Sequence, residues 1–162
     1  MDSTLSEEDI EVVWCCNNKG SMRRDVVVYS YPYTSQEQFG NAAICAMRDK
    51  VLGRIVTAQV EGSHMGTEYN YFPPISRQVQ ALKNDTIQNE TLPPPFYAIE
   101  TRGLWKIIDG EAMGGPFVSL TQLDMVRGRV VTAEAFIYAS GQKKRNALRQ
   151  AEAVLYTLDL KD

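Results

Sequence analysis

Hydrophobic and polar residues alternate with the period of a β-strand in three consecutive segments of the second half of the chain. The segments are residues 99–108, 117–121 and 130–139. Every second residue of the last segment is small or aliphatic, which predicts one face packed on a helix and a second face that is only partly covered. The Asp109-Gly110 pair after the first segment is typical of a tight turn. We therefore expect three strands joined in sequence, with a bulge at Gly103.

The first half of the chain predicts a hairpin followed by a more irregular region. Residues 11–16 and 25–33 are rich in β-branched and aromatic residues, and a turn that contains Asn and Gly separates them. A third strand is predicted over residues 54–60, and a loop over residues 62–66. Residues 84–95 are polar and end in three prolines, which predicts an exposed loop.

Two segments carry apolar residues at helical spacing. Residues 34–37 fit a capping box, so the first helix is expected to begin there and to end near Gly53. The second helix is predicted over residues 142–160. The apolar stripe of the first helix consists of Phe39, Ala43, Ala46 and Met47, and that of the second consists of Leu148, Ala151, Leu155 and Leu158.

The predicted order of elements is β-β-α-β, an irregular middle, and then β-β-β-α. Strands that follow one another in hairpins, with helices set apart from them, indicate an α+β fold with a mainly antiparallel sheet and packed helices. A length of 162 residues favours a single domain, residues 1–162. The order of elements is also similar to the Mog1/PsbP-like α/β/α sandwich, whose members mostly act as accessory or binding modules.

Composition argues against several classes of protein. A net charge of −3 argues against a nucleic-acid partner, because such proteins present a basic face. No apolar run approaches the roughly 20 residues of a membrane span, so no transmembrane segment is predicted. The chain has no phosphate-binding or dinucleotide-binding motif and no cluster at metal-ligand spacing. We therefore predict neither a metal nor a cofactor, and we interpret Cys15, Cys16 and Cys45 as small core residues or thiols.

His64 is the only histidine and the weak candidate for catalysis. It lies in the predicted loop with Glu61 and Glu68 nearby, so one hypothesis is a hydrolase-like enzyme in which His64 acts with a carboxylate. The favoured alternative is an exposed loop histidine without a catalytic role. A second hypothesis is a carboxylate pair across neighbouring strands, drawn from Glu100, Asp109, Glu111 and Glu134, although solvated surface carboxylates are the default interpretation.

Residues 113–117 form the most distinctive predicted loop. Its two glycines allow close approach of the backbone, and its exposed N–H groups are able to bind an anion, whereas the alternative is a wide turn between strands. The basic residues 143–145 crowd the start of the last helix, as a solvated face, as an anion contact or as part of a partner surface. The surface predicted to bind a ligand or partner comprises Arg102, Trp105, Met113, Gly114, Gly115, Pro116, Phe117, Lys143, Lys144 and Arg145.

Several of these residues carry a family resemblance. The strings R-G-L-W at Arg102–Trp105, M-G-G-P-F at Met113–Phe117 and A-V-L-Y-T at Ala153–Thr157 resemble the C-terminal half of a Bacteroidetes family of envelope lipoproteins that is defined by a domain of unknown function. The resemblance implies that the chain is the C-terminal part of a longer protein of the cell envelope. No activity is carried over from the family.

Three functions follow as expectations from the residues and the resemblance together. The first is a non-enzymatic binding or accessory domain for an envelope protein or ligand. The second is the hydrolase-like enzyme that uses His64. The third is a structural domain that packs on an N-terminal half, for which an exposed apolar face or a homodimer formed through it would be the sign.

Overall fold

The computed structural model describes residues 3–7, 9–17, 22–80, 97–139, 141 and 143–160. Within these residues the chain forms strands, two α-helices and one turn of 3₁₀-helix at Gln36–Phe39. The strands are β1 Ser3–Glu7, β2 Ile10–Asn17, β3 Arg23–Pro32, β4 His64–Thr67, β5 Ile75–Gln80, β6 Tyr97–Ile108, β7 Gly114–Asp124 and β8 Arg129–Tyr138. The helices are α1 Asn41–Ile55 and α2 Arg145–Leu155.

The described strands form one sheet in the order β1-β2-β3-β8-β7-β6-β4, and β5 also pairs with β6. All pairings between these strands are antiparallel. The long strand β6 has two partners on its outer side, because β5 pairs with its first half and β4 with its second half. The chain is therefore α+β with a mainly antiparallel sheet and packed helices, as predicted.

The two helices cover opposite faces of the sheet. Strand residues pointing one way pack with α1 in a core that includes Tyr29, Trp105 and Phe136. Residues pointing the other way, among them Leu120 and Ile137, pack with α2. The central strand β8 is buried along both faces, so the prediction that one of its faces is only partly covered is wrong. That prediction failed because Thr132 and Glu134, polar residues on the α1 face, are themselves fully buried.

The buried face of α1 differs from the predicted apolar stripe. Its buried residues are Ile44, Cys45, Arg48, Val51 and Leu52, whereas Ala46 is exposed and Met47 is half-buried. The prediction chose the face that carries the alanines. The face that packs on the sheet includes Arg48, a charged residue that the apolar pattern does not mark as buried. The predicted start is also wrong, because the capping box at Ser35 and Gln38 begins the separate 3₁₀ turn, whereas α1 begins at Asn41. The Gln38 side chain accepts hydrogen bonds from the backbone N–H groups of Thr34 and Ser35 at 2.7 and 3.1 Å.

The irregular middle of the chain differs from the prediction in two places. No strand spans residues 54–60, because α1 continues to Ile55 and Thr57 then forms an isolated bridge with His64. The predicted loop over residues 62–66 contains the start of β4 instead. The predicted loop over residues 84–95 lies outside the described residues.

Strand β7 begins with the Gly-Gly-Pro sequence, so the predicted loop at residues 113–117 is wrong. The turn lies earlier, between β6 and β7, where Asp109 adopts a φ of +55°. Gly115 is needed because a Cβ atom there would lie 2.0 Å from the carbonyl oxygen of Ile137. The indole of Trp105 crosses this glycine, and its Nε1 donates to the same Ile137 oxygen at 3.1 Å.

Gly103 does not form the predicted bulge. The register of β6 against β7 is continuous through Gly103 and its partner Phe117. A Cβ atom at Gly103 would lie 2.8 Å from the ring of Phe117, so the glycine makes room for that ring. In the part of the chain that the structure describes, no helix has the length and apolar character needed to cross a membrane.

Candidate functional site

A cavity of about 620 Å³ opens on the α1 face of the sheet, beyond the C-terminal end of α1. Its volume lies within the range of small-molecule sites. Strands β3, β6 and β8, the turn before β7 and the residues that follow α1 all contribute to its wall. We call it the aromatic cavity, and it is lined by Arg23, Asp25, Val56, Thr57, Ala58, Gln59, Trp105, Ile107, Glu111, Met113, Phe136 and Tyr138.

Three aromatic side chains form one part of the wall. Trp105 meets Phe136 edge to face with ring centroids 5.9 Å apart, and it lies 6.2 Å from Tyr138. Edge-to-face and tilted arrangements are the ones that aromatic pairs prefer. The Trp105 ring cannot turn freely, because its Nε1 is bound to the Ile137 carbonyl. The wall is therefore rigid before any ligand arrives.

Asp25 and Arg23 form a charged pair at one end of the cavity. Arg23 Nε donates to Asp25 Oδ2 at 2.8 Å, and Trp14 Nε1 donates to Asp25 Oδ1 at 3.1 Å. The Arg23 guanidinium also lies over the Trp14 ring, with Cζ 5.4 Å from its centroid. Burial raises the pKa of Asp25, although the hydrogen bonds and charge of Arg23 lower it. Both oxygens of this carboxylate are thus already occupied.

Glu111 supplies a second carboxylate to the wall. It lies in the turn between β6 and β7, held by the bond from the Met113 backbone N–H to the Glu111 carbonyl at 2.7 Å. Its Oε2 atom is shielded from solvent and has no hydrogen-bond partner among the described residues. A buried carboxylate oxygen without a hydrogen bond costs free energy, and Oε2 of Glu111 is such an atom in the cavity wall.

A buried ion pair lies on the same face of the sheet. Arg48 of α1 donates from Nε to both carboxylate oxygens of Glu134 on β8, at 3.0 and 2.9 Å, and from Nη2 to Oε1 at 2.8 Å. Its Nη1 donates to Thr67 Oγ1 at 3.0 Å, and its Cζ lies 4.0 Å from the centroid of the Phe117 ring. These contacts fix α1 on the sheet, but neither charged residue lines the cavity.

Arg102 lies on the opposite face of the sheet, beneath α2. Its Nε donates to Glu100 Oε1 at 2.8 Å, as does Nε of Arg77, and Tyr156 OH donates to Glu100 Oε2 at 2.6 Å. Arg102 also pairs with Glu152 of α2. Burial by itself raises the pKa of Glu100, but the hydrogen bonds from Arg102, Arg77 and Tyr156 outweigh it and lower the pKa to about 2.

The residues of the predicted binding surface therefore occupy several places. Trp105 and Met113 line the aromatic cavity, whereas Arg102 belongs to the α2 face. The residues of the Gly-Gly-Pro sequence lie inside β7, and Phe117 is buried beneath Arg48. Among the basic residues at the start of α2, Lys143 and Arg145 are exposed and Lys144 is half-buried. The binding role of these residues stays a prediction.

Glu100 and Glu134 do not form the predicted carboxylate pair, and the default interpretation as solvated surface carboxylates is also wrong for these two residues, because both are buried. Glu134 points to the α1 face and is bound by Arg48, whereas Glu100 points to the α2 face and is bound by Arg102 and Arg77. Each carboxylate is paired with its own cation on its own face of the sheet. Residues that lie an odd number of positions apart in the register of the sheet point to opposite faces. Within the described ranges, no group of three or more His, Cys, Asp or Glu side chains is placed to hold a metal ion.

His64 lies at the start of β4, at the edge of the sheet, and is half-buried. Its Nδ1 lies 3.1 Å from the carbonyl oxygen of Gly62, so this nitrogen carries the proton of that bond. In the described part of the chain no ion pair joins His64 to a carboxylate. Glu68 is instead paired with Lys106 at 2.9 Å. His64 and Glu61 do line one cavity of about 420 Å³, but among the described residues no hydrogen bond or ion pair joins the two side chains.

Sequence reasoning missed Arg23, Asp25, Phe136 and Tyr138 as cavity residues. A signal for Asp25 exists, because it is in phase with Val27, Tyr29 and Tyr31 on the buried face of β3. A charged residue in phase with a buried face has to be paired or to serve a site. The same signal marks Glu134 on β8.

The stretch between β4 and β5, together with the first residue of β5, exposes large apolar side chains. Tyr71, Phe72 and Ile75 are 83%, 64% and 73% exposed. Exposed apolar clusters commonly mark contact surfaces. Homodimer formation through an exposed apolar face stays a prediction.

Comparison with known proteins adds the family. No curated protein matches the sequence. A family model described as domain of unknown function (DUF4837) matches residues 1–157. Because this match covers nearly the whole length, the chain belongs to the DUF4837 family.

Proposed function

We propose that the chain is a non-enzymatic binding or accessory domain of the cell envelope and that the aromatic cavity is its ligand site. The observation that carries the binding function is the cavity itself, about 620 Å³ with a preformed wall of Trp105, Phe136 and Tyr138. Sites for small molecules are mostly apolar and hold a few placed polar groups. Asp25, Arg23 and Glu111 supply such groups here.

The envelope location rests on the resemblance of the R-G-L-W and M-G-G-P-F strings to envelope lipoproteins. Fractionation of cells that carry the native protein tests it, with recovery in the envelope expected and recovery in the cytoplasm against it. We also propose a Mog1/PsbP-like sandwich, whose members mostly act as accessory or binding modules, and the placement of α1 and α2 on opposite faces of the sheet supports this proposal.

The enzymatic alternative receives less support from the geometry. His64 is not among the cavity residues, and its described side-chain contact is to a backbone carbonyl. A catalytic base needs to lie within hydrogen-bond reach of its partner group in a plausible substrate complex. The binding hypothesis therefore explains the aromatic cavity, whereas the enzymatic one would have to use the separate cavity beside His64 and Glu61.

A screen of small aromatic fragments by NMR tests the ligand site. We expect fragments to shift the signals of the Trp105 indole N–H and the Met113 methyl group. The variant Ala58→Trp fills the cavity, since Ala58 lines it, and should weaken fragment binding at least about tenfold. Ala153→Trp, on the exposed side of α2, is the matched control and should bind as the wild type does.

Two results would contradict the proposal. One is the absence of fragment-dependent shifts at Trp105 and Met113. The other is undiminished binding in a folded Ala58→Trp protein, because the fragments would then occupy some other place.

A further inference from the structure

We infer that the ligand of the aromatic cavity is an organic cation, a protonated primary or secondary amine on an aromatic or aliphatic body, and that Glu111 is the residue that recognises its charge. This inference rests on the proposed function and specifies its ligand class. It is carried by two observations that lie together, an unpaired carboxylate oxygen and an aromatic wall.

The carboxylate oxygen defines what the ligand must donate. Glu111 Oε2 has no partner among the described residues, and because this oxygen is shielded from solvent, the side chain has to turn toward the cavity before a ligand N–H can bind it. An ionised carboxylate is an acceptor only, which excludes a ligand group that itself only accepts. A charged ammonium makes the strongest hydrogen bond of this type.

The aromatic wall favours the same charge. The faces of aromatic rings attract cations, and Tyr138 is the half-buried ring of this wall, whereas Trp105 and Phe136 are only 3% and 2% exposed. Trp105, Phe136 and Tyr138 come from two strands and meet at centroid distances of 5.9 and 6.2 Å. An apolar body can pack on Ile107, Val56 and Met113, which also line the cavity.

The charged residues that line the cavity also favour a cationic ligand. Arg23 is the cation that lines the described cavity, and it is bound to Asp25 through Nε at 2.8 Å. Because this pair is mutually neutralised, the carboxylate of Glu111 leaves the wall with a net negative charge. An anionic ligand would have to approach the carboxylate of Glu111, and it would meet an Arg23 charge that Asp25 already balances, so its binding is unfavourable.

Three compounds of similar shape separate the charge from the body of the ligand. The probes are 2-phenylethylammonium, 2-phenylethanol and 3-phenylpropanoate, each titrated into the protein at pH 7 by NMR. We expect the ammonium to bind about tenfold or more tightly than the alcohol, and the carboxylate to bind most weakly.

Substitution of Glu111 tests its role. Glu111→Gln keeps the shape of the side chain and removes the charge, so the preference for the ammonium over the alcohol should fall to about threefold or less. Asp109→Asn is the matched control, because Asp109 is an exposed carboxylate two residues away that does not line the cavity. Its variant should keep the wild-type preference.

The outcomes distinguish this inference from the proposed function. If the alcohol or the carboxylate binds in the cavity as tightly as the ammonium, or if Glu111→Gln keeps the preference, the cavity is a ligand site but the cation inference is wrong. If none of the three compounds shifts the signals of Trp105 or Met113 at millimolar concentration, both proposals are overturned.

Discussion

Arg48 and Glu134 form a fully buried ion pair between α1 and the central strand β8, with side chains 1% and 0% exposed. The guanidinium is held from several sides, by Glu134, by Thr67 Oγ1 and by the face of the Phe117 ring. Each contact satisfies part of a charge that has left water. The orientation of α1 on the sheet therefore depends on a polar contact within an otherwise apolar core.

Replacement of Arg48 by Met is expected to lower the free energy of unfolding by about 3–5 kcal/mol, because it leaves the Glu134 carboxylate buried without its cation. Urea denaturation measures the change. Arg149→Met, at an exposed arginine of α2, should change the stability by less than about 0.5 kcal/mol. In the double variant Arg48→Met/Glu134→Leu much of the lost stability should return. A double variant as unstable as the sum of the two single variants would show that the pair is not coupled.

Gly115→Ala is expected to destabilise the protein by about 3 kcal/mol, since the added Cβ would lie 2.0 Å from a backbone oxygen of the neighbouring strand. Near-ultraviolet circular dichroism should report the displacement of Trp105. Gly40→Ala is the control, because Gly40 has a φ of −70° and its closest added contact is 3.2 Å. That variant should cost less than about 1 kcal/mol, and an equal loss in both variants would contradict the steric explanation.

Because the pKa of Glu100 is low, we expect the protein to lose stability in acid. Its pKa is about 2 in the folded protein, below the ordinary value of 4.5, so its contribution is fully present above about pH 4.5. As the pH falls through about 2, the folded state gives up this advantage and the free energy of unfolding decreases. Measured from pH 5 to pH 2, Glu100→Gln should show a flatter decrease than the wild type.

An exposed glutamate provides the comparison for that measurement. Glu37 is an exposed residue of the 3₁₀ turn, and Glu37→Gln should follow the wild-type curve. A Glu100→Gln variant with the same slope as the wild type would mean that the bonds from Arg102, Arg77 and Tyr156 do not hold the carboxylate ionised.

His64→Ala tests the enzymatic alternative directly. Because His64 is half-buried at the sheet edge and does not line the aromatic cavity, the variant should bind 2-phenylethylammonium with an unchanged affinity. Its stability should change by about 1 kcal/mol or less. A large loss of affinity would place His64 in the ligand site and revive the hydrolase-like hypothesis.

The strands of the second half could be predicted because their alternation and the Asp109-Gly110 turn are local signals. The face of α1 could not, since Arg48 becomes a core residue only through Glu134, which lies 86 positions away. Residues 54–60 have the composition of a strand, but the packing of Val56 and the end of α1 determine their conformation.

The candidate site was predicted only in part. Trp105 and Met113 belonged to the predicted binding surface, and both line the cavity. Arg23 and Asp25 were missed because the cavity is assembled from strands that are distant in the sequence. Arg102 was placed with Trp105 on the basis of sequence proximity, although three positions along a strand put two side chains on opposite faces.

The crossing of Trp105 over Gly115 has a consequence for the history of the family. The indole reaches the Ile137 carbonyl only because the intervening strand carries no side chain at that point. A lineage that acquired a side chain at position 115 would have to give up the tryptophan as well. In an alignment of related sequences, columns 105 and 115 are therefore expected to covary, and members that have lost both should have a differently shaped cavity.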